Sequence, residues 1–152
     1  MKKIFYLLFT LLIFVGCQKQ KQRKTTENAQ TTASIVAQEC YRGIMKKDTI
    51  LMTLHLKGNE VTAGTLRYQF FEKDSNEGEI SGQLKGDTLF ATYTFMSEGA
   101  ASVRDVAFLK KGNTYIEGHG EISDDNQGNI TFKDVRQLRF DGKLMLSAIR
   151  CD

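Results

Sequence analysis

Few residues in this chain are arranged for chemistry. Its two histidines stand in Leu54-His55-Leu56 and Gly118-His119-Gly120. A metal site would need both imidazoles to converge with carboxylates such as Glu117 or Glu121, and nothing in their spacing demands it. Asp124-Asp125-Asn126-Gln127-Gly128-Asn129 has the oxygen-rich look of a calcium loop. It lacks the twelve-residue ligand pattern and the closing glutamate, so it reads as a solvated hairpin turn. Asp74-Ser75-Asn76-Glu77-Gly78 has the same status. The sequence holds no Gly-x-Ser-x-Gly, phosphate-cradling glycine loop or His-Glu-x-x-His. No catalytic residue, metal or cofactor is assigned, and a hydrolase with a dispersed site is the weakest reading. What remains is binding. Arg67, Tyr68, Tyr93, Arg104, Glu117 and His119 are polar groups on strand-like segments, and they become candidate ligand contacts if those strands enclose a calyx. The segment Phe95–Asp105 joins two strands through small residues and is a candidate mouth or lid; the bland alternative is a longer connection held by an Arg–carboxylate pair.

The elements that would position these groups are strands. Strand-type segments cover Cys40–Met45, Thr49–Lys57, Glu60–Phe71, Gly78–Lys85, Thr88–Met96, Ser102–Lys110, Thr114–Ile122, Asn129–Phe140 and Lys143–Ile149. Between several of them stand Gly58-Asn59, Gly86-Asp87, Gly112-Asn113 and Asp141-Gly142, which supply the positive φ that tight hairpins need. Apolar residues alternate with polar ones in Ile50/Met52/Leu54/Leu56, in Leu66/Tyr68/Phe70 and in Leu89/Ala91/Tyr93/Phe95. No long segment of the body shows a 3.6-residue period, although Thr32–Gln38 suits a short helical turn. Gly64, Gly82, Gly118 and Gly120 interrupt strands, as corners and close backbone approaches do. The fold class is therefore all-β: one antiparallel meander of eight to nine strands. Closure hides the edge strands, which favours a small barrel; a two-sheet sandwich is the alternative.

The N-terminus carries an address. Lys2 and Lys3 precede an apolar run from Ile4 to Val15, broken only by Thr10, and Gly16-Cys17 closes it. A membrane span takes about 20 apolar residues, so this run suits a cleaved signal. Phe14-Val15-Gly16-Cys17 resembles the lipobox of bacterial lipoproteins, with phenylalanine in place of the usual leucine. The resemblance covers residues 1–17. It implies a signal peptide over 1–16 and lipidation at Cys17, where two or three acyl chains give durable anchoring. Gln18 in place of aspartate resembles the outer-membrane sort, in a periplasm-facing position. Residues 17–39 form the tether. Their polar, basic composition offers too little apolar surface to offset the entropy of ordering.

Residues 40–152 form the single body. The chain's net charge is +3, but from Cys40 onward there are 15 basic and 16 acidic side chains. No basic footprint for nucleic acid exists there. Cys40 and Cys151 bracket the body, and in an oxidising compartment they read as a disulfide. In a closed meander the first and last strands are neighbours, so such a bond would fasten the seam. The body resembles the small barrel lipoproteins of Gram-negative envelopes. The expectation is a lipid-anchored, non-catalytic module that takes a small amphipathic ligand. A structural or inhibitory lipoprotein binding another envelope protein through its outer wall is the alternative.

Overall fold

The computed structural model describes residues 36–152, apart from Asp74 and Glu98. The signal peptide, the lipidation site at Cys17 and the tether as far as residue 35 lie outside the described residues. Ten strands follow in order: β1 (Ala37–Met45), β2 (Asp48–Lys57), β3 (Glu60–Gln69), β4 (Asn76–Lys85), β5 (Thr88–Ser97), β6 (Ala100–Lys111), β7 (Thr114–Glu117), β8 (Ile122–Asp124), β9 (Asn129–Phe132) and β10 (Met145–Ile149). β1 to β7 form a continuous antiparallel meander. β10 then pairs with both β7 and β1 and closes an eight-stranded barrel. The disulfide Cys40–Cys151 sits beside the β1–β10 rung Cys40↔Ile149, with 5.3 Å between its Cα atoms.

Alternation explains the closure. In β2 the inward residues Ile50, Met52, Leu54 and Leu56 are buried; in β5 so are Leu89, Ala91, Tyr93 and Phe95. They meet Leu66, Ile80, Val106, Phe108, Tyr115, Leu144 and Leu146 in one cluster that fills the barrel. Each large side chain buried this way contributes roughly 1.5–3 kcal/mol. An eight-stranded barrel is just wide enough for such filling, so the interior is a packed core and not a calyx. Curvature comes from inward-facing glycine. At Gly82 a Cβ would stand 2.2 Å from the Phe90 carbonyl and 2.5 Å from Ala91 Cα, so only glycine lets β5 approach β4 so closely.

Two-residue turns join β1 to β2, β2 to β3, β4 to β5, β5 to β6 and β6 to β7. Gly58, Gly86 and Gly112 have φ near +60°. Lys46 fills the same role with φ 58°, a turn that no glycine announces in the sequence. The expected lid at Phe95–Asp105 is a tight hairpin instead: β5 reaches Ser97, which pairs with Ala100. β1 starts at Ala37, so the last three residues of the expected tether, 37–39, and the end of the expected helical turn are strand.

The largest departures lie between β7 and β10. The expected strand Thr114–Ile122 stops at Glu117, because Gly118 and Gly120 pack against Phe140 and Leu138 where a Cβ would stand 2.6 and 2.7 Å away. The expected strand Asn129–Phe140 stops at Phe132. Asp134 accepts from the Arg136 amide at 3.0 Å and caps a 3-10 turn, Val135–Gln137, a local alternative that competes with a strand ladder. Residues 118–143 thus leave the barrel as an excursion that contains the β8–β9 hairpin.

Candidate binding site: a slit in the barrel wall

β6 is long and β7 is short. β5 covers one edge of β6 over its whole length, whereas β7 covers the other edge only from Phe108 to Lys111. The N-terminal half of β6, around Arg104–Val106, therefore lacks a regular barrel neighbour. The excursion fills that place. β9 pairs parallel to β6 at Val103↔Asn129 and Arg104↔Ile130, Val103 N donates to Gly128 O at 2.8 Å, and Phe132 N donates to Asp105 Oδ2 at 3.2 Å. His119 and Arg139 exchange two backbone hydrogen bonds of 2.9 Å across the excursion's base. Between β6 and the excursion lies a slit of about 280 Å³.

Arg104, Asp105, Glu117 and His119 are the polar side chains that line this slit, and Val106, Ile122, Ile130 and Phe132 are the apolar ones. Glu117 stands on the last residue of β7, half inside the barrel. Its Oε1 accepts from the Tyr68 hydroxyl at 2.7 Å, which leaves Oε2 for the slit. Burial pushes the Glu117 carboxyl above the usual carboxylate range, against the opposing pull of the Tyr68 hydrogen bond and the His119 and Arg104 charges. Burial, reinforced by the Glu117 charge, also raises the Tyr68 phenol well above its ordinary value. Arg104 pairs with Tyr93 across the β5–β6 ladder, and its guanidinium lies 5.5 Å from the Phe95 ring centre. Tyr93 is 1% exposed, and its hydroxyl has no hydrogen-bond partner. Burial pushes that phenol up to about 12, with the Arg104 charge acting in the opposite sense.

Five of the six candidate contacts named from the sequence therefore belong to one neighbourhood. Arg104, Glu117 and His119 line the slit, Tyr68 holds Glu117, and Tyr93 lies beneath Arg104. The sixth, Arg67, is corrected: its strand parity turns it to the outer wall, where Nε lies 3.5 Å from Glu77 Oε2. His55 does not join His119. It lies on β2 at a bulge between His55 and Leu56, toward the end of the barrel that holds the disulfide. Among the described residues no three His, Cys, Asp or Glu side chains converge on a metal position. The Asp124–Asn129 segment spends its carboxylates on its own backbone. Asp125 accepts from the Gln127 and Asn129 amides at 2.7 and 3.0 Å, and Asp124 from the Asn126 amide at 2.8 Å.

Sequence reasoning missed the apolar walls. Ile130 and Phe132 share one face of the short alternating run Asn129-Ile130-Thr131-Phe132, a signal that was available but pointed to no particular partner. Asp105 was named only as the edge of the expected lid; its part is to hold the Phe132 amide beside the slit. Comparison with protein-family models, with curated proteins and with solved structures finds no match to this chain.

Proposed function

We propose that this protein is a lipid-anchored, non-catalytic binding module of the bacterial cell envelope, and that the slit receives a small amphipathic ligand. One observation carries the ligand reading. The slit between β6 and the excursion gathers a cation, a half-buried carboxylate and an imidazole beside apolar side chains. Small-molecule sites are built this way, from apolar walls and a few converging polar groups. The packed core supports a ligand in the wall and not along the barrel axis. The lipobox-like leader supports the anchor and an outer-membrane, periplasm-facing position.

A second reading has its own support. Ile44, Met96 and Met145 are 65%, 58% and 53% exposed, and Phe71 is also exposed. All four lie toward the barrel end opposite the disulfide, and Ile44 and Met145 lie just beyond the last β1–β10 rung, Gly43↔Leu146. Exposed apolar residues at one end suit a partner protein of the envelope. Native mass spectrometry of the protein extracted from host membranes tests both. A retained small molecule that is lost on Phe132→Asp supports the slit. A retained protein that is lost on Ile44→Asp/Met145→Asp supports the second reading instead.

A further inference from the structure

We propose that the slit selects a zwitterion, namely a free α-amino acid with an apolar side chain. Its carboxylate pairs with Arg104, its ammonium pairs with Glu117, and its side chain lies against Ile122, Ile130 and Phe132. This rests on the reading of the slit as a ligand site and names the class of ligand.

The argument is one of charge and size. Arg104 and Glu117 both line the slit, near enough for the Arg104 charge to act on the Glu117 carboxyl, and they form no ion pair with each other within 4 Å. Two opposite charges that face a shared space without neutralising each other leave two demands unmet. A ligand with only an anionic head would satisfy Arg104 and oppose the Glu117 carboxylate. A ligand with only a cationic head would do the reverse. A neutral apolar ligand would desolvate the half-buried Glu117 carboxylate without pairing it, and would leave the exposed Arg104 unused. A group carrying both signs a few ångströms apart meets both demands. Tyr68 already holds Glu117 Oε1 and so fixes the orientation of the other oxygen. Asp105 also lines the slit, on the opposite face of β6 from Arg104, and its Oδ2 holds the Phe132 amide.

Size narrows the class. At about 280 Å³ the slit falls just below the ~300–1,000 Å³ range of ligand pockets. That suits one amino acid better than a long acyl chain or a peptide strand. Val106, Ile122, Ile130 and Phe132 supply the apolar part of the lining, so the preferred side chain is aliphatic or aromatic.

Isothermal titration calorimetry on the purified full chain in detergent tests this with three probes: L-leucine, leucinamide and N-acetyl-leucine. The second lacks the carboxylate and the third lacks the ammonium. L-Leucine should bind at least tenfold more tightly than either analogue. Arg104→Gln should reduce leucine to the affinity of leucinamide and leave leucinamide itself unchanged. Glu117→Gln should make the corresponding change against N-acetyl-leucine. Near-UV circular dichroism would confirm that both variants keep the native barrel. If either analogue matches leucine, the zwitterion is overturned and the slit remains a ligand site of one charge preference. If native mass spectrometry finds a different molecule in the slit and leucine does not bind, the ligand class falls and the site stands. If no probe binds and nothing is retained, both fall.

Discussion

Glu117 is the residue whose surroundings cost most. A carboxyl raised above its ordinary value by burial is easier to keep protonated in the fold than in the unfolded chain. Its contribution to stability is therefore complete at pH values below the ordinary glutamate range. It is lost as pH rises through that range and up through the raised folded value, because the unfolded chain gives up its proton first. Glu39, Asp125, Asp134 and Asp141 are lowered instead and slope the other way. Glu39 is lowered even though burial opposes it, by hydrogen bonds from Tyr41 and from Lys110. The wild type alone thus reports a mixture. The difference between wild type and Glu117→Gln isolates one group: in urea unfolding from pH 4 to 8, wild type should lose stability relative to the variant as pH rises. A flat or rising difference would mean that Glu117 is more solvated than its place on β7 implies. At Gly82 the expected effect is steric. Gly82→Ala places a methyl against the β5 backbone, and overpacking of this kind costs about 1–3 kcal/mol, to be read from the urea midpoint.

At the scale of elements, the disulfide and the β1–β10 ladder do the same work. The four rungs Cys40↔Ile149 to Gly43↔Leu146 close the ring, and the Cys40–Cys151 bond, 111 residues apart in sequence, fastens its end. In the chain-entropy model a loop of that length is worth about 4–5 kcal/mol. Cys40→Ser/Cys151→Ser should lower unfolding free energy by that amount under oxidising conditions and by nothing under reducing ones. Most of the barrel was legible in the sequence, and for a physical reason. Period-2 alternation in β2 and β5 and glycine-led turns at Gly58, Gly86 and Gly112 are local signals, each decided by neighbours one or two residues away. The ends of β7 and β9 were not legible. Gly118 reads as an interior strand glycine until Phe140 is known to pack on it, and that contact is tertiary. The site was half legible for the same reason. Placement on strand-like segments pointed to Tyr68, Tyr93, Arg104 and Glu117, but did not by itself exclude Arg67, which alternation with Leu66 and Tyr68 puts on the outer face. Nor could it show that a gap in the wall, and not the barrel axis, is where the set is reached.

For the whole molecule, the barrel and the excursion are separable in principle. The register Met145↔Ile116 and the bond from Glu117 N to Leu144 O at 3.1 Å place residues 117 and 144 opposite each other. A two-residue turn would span that gap, as such turns do elsewhere in this barrel. Replacing residues 118–143 with Asn-Gly therefore leaves an uninterrupted eight-stranded meander. The eight strands, the disulfide and most of the core cluster lie outside the excised segment. The variant should keep a strand-type circular dichroism spectrum and unfold cooperatively. It should also form the Cys40–Cys151 bond, since that bond needs only the ring to close. Its stability should fall, because β6 loses the cover of β9 and presents an open edge at Arg104–Val106. Binding at the slit should vanish, because His119, Ile122, Ile130 and Phe132 go with the segment. A cooperative but ligand-blind barrel would identify the excursion as the part that carries recognition on a scaffold that does not need it. A product that binds a hydrophobic dye and melts without a transition would instead make the excursion an integral stave of the wall, its pocket a by-product of closing a gap that β7 is too short to fill.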